Sequence, residues 1–212
     1  IAGAGGGFKT TLRWQPEWRP RLADNWLNGE ISTTGTLGGS QLTLSLTNEA
    51  NRNGHWGPEQ VFDGNGVRLF TRDEFAAYSG DRPRLSAALA RTAANGNKLN
   101  INAGMQRIFN RQRVDGTSDQ PVRGPVVESY RFRENEWNAD IGGDYEFALG
   151  GGRLKLIALQ RIEHSPTVAF FTVTDAAGVD ASRFDFTADE SESILRGEYG
   201  WRTAGGTDWQ VA

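Results

Sequence analysis

The stretch Trp137-Asn138-Ala139-Asp140-Ile141-Gly142-Gly143-Asp144-Tyr145-Glu146-Phe147-Ala148-Leu149 decides the fold. Its odd positions carry Trp, Ala, Ile, Gly, Tyr, Phe and Leu, and its even positions carry Asn, Asp, Gly, Asp, Glu and Ala. Side chains of a β-strand alternate between two faces, so this segment has one apolar and one polar face along its whole length. At about 3.3 Å per residue it is roughly 40 Å long, well beyond the roughly 5–6 residues of an ordinary strand. Tilted by about 45°, it covers roughly 30 Å, the thickness of a bilayer's hydrocarbon core.

The same period recurs outward from this segment. Leu27, Gly29, Ile31, Thr33, Gly35 and Leu37 alternate with Asn28, Glu30, Ser32, Thr34 and Thr36. Leu42, Leu44 and Leu46 share a face, as do Leu85, Ala87 and Leu89. Leu99, Ile101, Ala103 and Met105 alternate with Asn100, Asn102, Gly104 and Gln106, and Leu195, Gly197, Tyr199 and Trp201 with Arg196, Glu198, Gly200 and Arg202. In 153–163 the phase is ambiguous, because Leu154 and Leu156 compete with Ile157 and Leu159. Arg107 falls on an apolar face and is expected near a rim or past a bulge. Eight long strands are expected, near 8–15, 24–37, 41–52, 84–92, 98–111, 128–149, 153–163 and 191–202, with Thr207–Ala212 reading as the start of a ninth.

Connections alternate in length. Gly38-Gly39-Ser40, Ala94-Asn95-Gly96-Asn97, Gly150-Gly151-Gly152 and Ala204-Gly205-Gly206-Thr207 are turn-like, since Asn-Gly and Gly-Gly supply the positive φ angles of tight hairpins. Between them lie long polar connections at 53–83, 112–127 and 164–190. Short turns at one end and long loops at the other characterise transmembrane β-barrels. The first long connection carries its own turn signal, Asp63-Gly64-Asn65-Gly66, and is expected to hold a hairpin.

Composition narrows the function classes. The chain has 212 residues, no cysteine and two histidines, which removes disulfide scaffolds, thiolate zinc sites and cysteine nucleophiles and leaves little material for a multi-histidine metal centre. The net charge of -3 argues against nucleic acid as a partner. Glycine at 27 residues and hydrophobic content of 37% suit neither a helix bundle nor, with seven Trp and eleven Phe, a disordered chain. The longest apolar runs are about four residues, far short of the roughly 20 that a transmembrane helix needs. The expectation is therefore all-β: an antiparallel up-and-down meander of long strands, part of a transmembrane β-barrel. Lipid would cover Leu27, Ile31, Leu42, Leu44, Leu46, Ile101, Ile141, Tyr145, Phe147, Leu195, Tyr199 and Trp201. A wet lumen would meet Asn28, Glu30, Asn100, Asn102, Asp140, Asp144, Glu146, Arg196 and Glu198. Phe147, Tyr199, Trp201 and Trp209 near short turns, and Trp137 ten residues from Phe147, match the aromatic girdles of such barrels, while Trp26 is out of phase. Two rival readings remain: a small self-contained eight-stranded outer-membrane barrel with a structural or adhesive role, and a soluble β-sandwich ligand-binding module.

The stretches Thr10-Thr11-Leu12-Arg13-Trp14-Gln15-Pro16-Glu17, Asn25-Trp26-Leu27-Asn28-Gly29, Ala90-Arg91-Thr92-Ala93-Ala94-Asn95-Gly96-Asn97, Gly142-Gly143-Asp144-Tyr145-Glu146-Phe147-Ala148-Leu149 and Gly152-Arg153-Leu154-Lys155-Leu156-Ile157 carry a family likeness. With them the chain resembles the barrel of TonB-dependent outer-membrane receptors of Gram-negative bacteria. The resemblance implies a bacterial outer-membrane location and a barrel of about 22 strands around a plug. It implies uptake of siderophore-bound iron, cobalamin, haem or carbohydrate, driven by the TonB complex through an N-terminal region. The chain resembles a middle portion of that barrel, without plug, coupling box or closing strand, so residues 1–212 are expected to be a partial barrel domain. Implied partners are outer-membrane lipid and lipopolysaccharide, the TonB complex, and a small-molecule or metal-chelate ligand. No cofactor, metal or catalytic residue is implied.

Asp140, Asp144 and Glu146 share a face and are expected to pair with lumen arginines such as Arg196 and Arg202 rather than to perform acid–base chemistry. His55 and Trp56, in the longest connection, are the candidate ligand-binding pair. His164 lacks a third group for a triad and is expected to end a strand. Asp63-Gly64-Asn65-Gly66 departs from a calcium loop at Val67 and Arg68. Gly3-Ala4-Gly5-Gly6-Gly7 reads as a lead-in, not a dinucleotide fingerprint. Arg107, Arg111 and Arg113 are expected to be solvated at an outer rim, with contact to lipopolysaccharide phosphates as the alternative.

Overall fold

The computed structural model describes residues 7–212, so the glycine-rich run at 3–6 lies outside the described residues. Nine strands follow one another: β1 Lys9–Trp14, β2 Gly29–Leu37, β3 Ser40–Phe62, β4 Arg68–Thr92, β5 Lys98–Gln120, β6 Gly124–Leu149, β7 Gly152–Asp175, β8 Gly178–Arg202 and β9 Asp208–Val211. They form one antiparallel meander in which spatial order equals chain order, with β1 and β9 as open edges. A sandwich would set a second sheet against the apolar face; here all nine strands belong to one sheet.

Strands β3 to β8 are 23 to 26 residues long. At about 3.3 Å per residue they approach 80 Å. The expected long loops at 53–83, 112–127 and 164–190 are strand extensions that close in tight turns. Their polar composition misleads, because an exposed hairpin buries neither face and so needs no apolar period. His164, expected to end a strand, lies midway along β7. The segment expected as strand from 24 begins pairing only at Gly29, so Leu27 and Asn28 belong to the preceding connection.

Glycine chemistry sets the turns. Gly38 and Gly39, with φ of 57° and 77°, close the two-residue β2–β3 hairpin, as a primed turn requires. A second pattern occurs three times: Ala93 N–H donates to Asn97 O, Asp63 to Val67 and Thr203 to Thr207, each with a glycine N–H donating back to the first residue. Gly66, Gly96 and Gly206 occupy that position with φ near 80°. Asp63-Gly64-Asn65-Gly66 is accordingly a hairpin turn, and Asp63 Oδ1 further accepts from the Asn65 and Val67 amides.

Register is continuous from β3 to β8 apart from one shift at Val61/Phe62. Cross-strand rows therefore keep their faces. One face carries Ile31, Leu46, Leu85, Met105, Ala139 and Ile162 side by side, and nearer the short turns Leu42, Leu89, Ile101, Gly143, Ala158 and Leu195. The opposite face carries Ser45, Ser86, Gly104, Asp140, Arg161 and Glu192. This resolves the 153–163 ambiguity: Leu154, Leu156, Ala158 and Ile162 lie on the apolar face, Ile157 and Leu159 on the other. The apolar face is bare, with Ile141 58% and Leu195 85% exposed; the only buried apolar side chains among the described residues are Ala76 and Val126.

The connection 15–28 folds back over the apolar-face side of β3 and β4. Glu17 bridges Asn25, and Trp14 Nε1–H donates to Trp26 O at 2.7 Å. Arg52, only 8% exposed, pins it: its guanidinium donates to Gly80 O (2.9 Å), to both carboxylate oxygens of Asp81 (3.1 Å) and to Asp24 O (3.4 Å). Arg52→Met is expected to cost about 2–3 kcal/mol and to release the connection. Amide hydrogen exchange over residues 17–27 checks this, and unchanged protection there would refute it.

Candidate functional site

Two heights divide the sheet. Below, toward the short turns, one face is apolar and the other polar. A row of Arg107, Trp137, His164 and Asp189 then crosses the formerly apolar face. His164 Nδ1 lies 2.7 Å from Asp189, and its ring is 6.2 Å from that of Trp137. Arg107 lies in this row with no bulge beside it. Next to this row two ladders lapse. Arg82 and Pro83 drop out of β4–β5, and Ser165 and Pro166 out of β6–β7, because proline has no N–H to donate.

Below the row, every expected lipid-side residue within a strand lies on the apolar face: Ile31, Leu42, Leu44, Leu46, Ile101, Ile141, Tyr145, Phe147, Leu195, Tyr199 and Trp201. Leu27 is exposed in the connection. Tyr145 stacks on Phe147, Tyr199 on Trp201, and Trp201 on Trp209, two aromatic groups beside the short turns with Leu154 and Leu156 between them. Trp26, out of phase in the sequence, is not in a strand; its Nε1–H donates to Asp24.

The polar face of this lower half carries Glu30, Asn100, Asn102, Asp140, Asp144, Glu146, Arg196 and Glu198, and its charged side chains form ion pairs. Their partners differ from those expected. Asp140 pairs with Arg84 at 2.6 Å, Asp144 with Lys155 at 3.7 Å and with Asn100, and Glu146 with Lys98 and Arg153. Arg196 instead pairs with Glu198 at 3.1 Å, and Arg202 with Asp208 at 3.6 Å. In the register Arg196 stands opposite Ile157, so the Ile157 side chain lies between it and Asp144. Arg84 reaches Asp140 across Gly104, where a Cβ would collide with the guanidinium.

Above the row, the face continuous with the polar one carries the side chains most able to meet a ligand. His55 is there, its Nε2 2.7 Å from Glu74. Arg72 gathers Glu59 (2.6 Å), Glu128 (3.0 Å) and Glu74 around one guanidinium. Burial lowers its pKa, but the hydrogen bonds it donates to Glu128 and Glu59 and the charge of Glu74 outweigh that and leave it raised, so it stays cationic. Trp56, the other half of the expected pair, points to the opposite face and stacks under Arg21 at 4.9 Å. Adjacent strand residues cannot share a face, so His55 and Trp56 do not form one site. Tyr130, Phe132, Phe171, Phe184 and Phe186 line the His55 face of β6, β7 and β8, with Phe184 and Phe186 stacked at 6.2 Å. The sequence held the signal, since Arg183 and Asp185 alternate with Phe184 and Phe186, but these residues fell inside an expected loop. Among the described residues no group of three or more His, Cys, Asp or Glu side chains is arranged to hold a metal ion.

No family model matches this sequence, and comparison with curated proteins gives no match.

In the upper β5–β6 hairpin, Asp115 accepts from both Arg113 and Arg131 at 2.5 Å. Burial raises its pKa, but the hydrogen bonds from Arg131 and Arg113 prevail and hold it below the ordinary 3.8. A depressed carboxylate stabilises the fold above its unfolded value and loses that contribution as pH falls through its folded value. Amide protection near Asp115 is therefore expected to drop as pH falls below about 3.8. Asp115→Asn should show lower protection at neutral pH and converge with the wild type in acid; a persistent gap in acid would refute the assignment.

Proposed function

We propose that this chain forms part of the wall of a transmembrane β-barrel in a bacterial outer membrane, within a receptor of the TonB-dependent kind that takes up siderophore-iron, cobalamin, haem or carbohydrate. One observation carries the reading: a bare apolar face of limited height, bounded at both ends. Trp137 and Phe147, ten residues apart on β6, are roughly 33 Å apart along the strand and about 25 Å after tilt, the height of an outer-membrane apolar band. The aromatic groups bound it at the short turns and the Arg107–Trp137–His164 row bounds it at the other end.

Backbone accounting supports the same limits. An unmade ladder bond costs most in hydrocarbon, where no water can replace it. All seven prolines, Pro16, Pro20, Pro58, Pro83, Pro121, Pro125 and Pro166, lie at the bounding row or beyond it. The open edges support membership of a larger closed sheet, because edge N–H and C=O groups in lipid require partners. On this reading the ion-paired face lines a wet lumen, and the upper hairpins stand outside the cell with His55 and the aromatic set toward the ligand.

Lipid contact makes a signed prediction. In reconstituted bilayers Ile141→Arg is expected to destabilise by about 2–4 kcal/mol, whereas Asn102→Arg on the other face changes stability little. Denaturant titration in vesicles measures both. Equal effects at the two positions would sink the membrane reading, because Ile141 is otherwise already exposed. For the receptor role, Phe132→Ala combined with Phe186→Ala is expected to weaken capture of whichever ligand binds from a panel of ferric chelates, cobalamin, haem and oligosaccharides, read by tryptophan quenching. Unaltered binding would remove the aromatic set from the site.

A further inference from the structure

On the His55 face of the upper hairpins, Ala169 of β7 stands directly opposite Phe132 of β6 and Phe184 of β8. Phe171, two residues along β7 on the same face, stands opposite Tyr130, and Phe186 stands opposite Thr167. A methyl group is thus the floor of a cup whose walls are aromatic rings. Neighbouring strands lie about 4.8 Å apart, so a group seated over Ala169 is about 5 Å from the Phe132 and Phe184 positions on either side. Phe184 and Phe186 stack at 6.2 Å, and both are exposed, as is Phe171.

Charge around the cup has one sign. On this face of β6, β7 and β8 the rows beside the rings carry Glu134 at one margin and Glu128 and Asp180 at the other, with no Lys, Arg or His among them. Glu128 pairs with Arg72. Glu134 accepts only from the neutral side chains of Asn110 and Ser165, and no ion pair to Glu134 or Asp180 occurs among the described residues. The arginines of the same stretch, Arg131, Arg133 and Arg183, project to the other face, where Asp115 holds Arg131 and Asp185 holds Arg183.

We propose that this cup binds the quaternary ammonium group of a cationic ligand. The inference rests on the receptor reading, which turns this face toward incoming ligand, and narrows that ligand to one class. Aromatic faces attract a cation within about 6 Å of the ring, a reach that strand spacing meets on both sides of Ala169. A fully alkylated ammonium has no N–H and needs no acceptor from a floor that offers none. A primary amine seated there would forfeit its hydrogen bonds to water. An anionic ligand would be repelled by Glu134 and Asp180, and a neutral apolar one would strip water from these carboxylates without compensation.

The test uses the 212-residue chain folded in an uncharged oligo-oxyethylene detergent. Ligand-observed NMR titration compares choline with its carbon isostere, in which a tert-butyl group replaces trimethylammonium. Choline is expected to bind about tenfold more tightly than the isostere. Phe132→Leu/Phe184→Leu keeps apolar area but removes the rings, and should bring choline down to the affinity of the isostere. Glu134→Gln keeps an acceptor for Asn110, and is expected to weaken choline about threefold while leaving the isostere unchanged. Equal binding of choline and isostere by the unsubstituted chain, or binding of neither, would overturn the proposal. So would choline affinity unmoved in the Leu pair, or displacement of choline by an equimolar ferric chelate or oligosaccharide. Quenching of tryptophan in brominated phosphatidylglycerol vesicles tests the receptor reading separately. Insertion without choline selectivity sinks this inference alone; failure to insert removes the receptor reading, and the choline result then decides the cup by itself.

Discussion

An unslipped register across the long strands is the constraint on which the structure depends. A shift of one residue in any strand would carry its whole apolar set to the other face. With the register kept, rows such as Ile31, Leu46, Leu85, Met105, Ala139 and Ile162 become continuous bands instead of scattered residues. The separation of faces follows from pairing, and pairing is directed by turns whose glycines have few alternative geometries, above all Gly38-Gly39.

The two faces hold the sheet together differently. The apolar face offers little cohesion in water, because its side chains lie side by side with nothing over them. The polar face stitches neighbouring strands, and strands two apart, with charges. Arg84 of β4 reaches Asp140 of β6, and Lys98 of β5 and Arg153 of β7 converge on Glu146 of β6. Small residues make this possible. Gly104 leaves the space through which the Arg84 side chain passes, and Ser45 and Ser86 share a 2.6 Å hydrogen bond where larger groups would crowd the lattice. The strands therefore need both an apolar partner on one side and a polar filling on the other.

Much of this was legible in the sequence where one face had to be apolar. From Leu99 to Met105 and from Ala139 to Leu149 the alternation names the strand, its face and the rim residue Arg107 that follows. Legibility failed where neither face is buried. Phe170 to Asp175 and Val179 to Asp189 look like loop because solvent accepts any side chain there, yet β7 and β8 pair without interruption through both. Ion-pair partners were the second failure. Opposite charges on one face are visible in the sequence, but the choice of Arg84 rather than Arg196 for Asp140 depends on strand order, which alternation does not encode. His55 and Trp56 show the converse: their adjacency suggested a joint site, and the period-two rule, once the segment is strand, places them on opposite faces.

The bounding row also changes what each face is for. Below it the outward face is Leu, Ile and Met, and the inward one is Ser, Asp and Arg. Above it the first face gains Arg111, Arg113, Arg131 and Arg133 among Phe75, Phe109, Val168 and Phe170, while the second gains Tyr130, Phe132, Phe171 and Phe186 beside Arg72, Glu74 and Glu128. Continuous strands cannot exchange faces without a bulge, and there is none at this height in β4 to β8. The proposed membrane reading accounts for this change by two surroundings met by the same sheet. A membrane surface supplies such a change, from hydrocarbon to phosphate and water on the outside, and from a solvated lumen to a ligand-facing vestibule within. The same reading accounts for Arg107, Trp137 and His164 lying in one row with Pro83 and Pro166 at or just beyond it, where water can replace an unmade ladder bond.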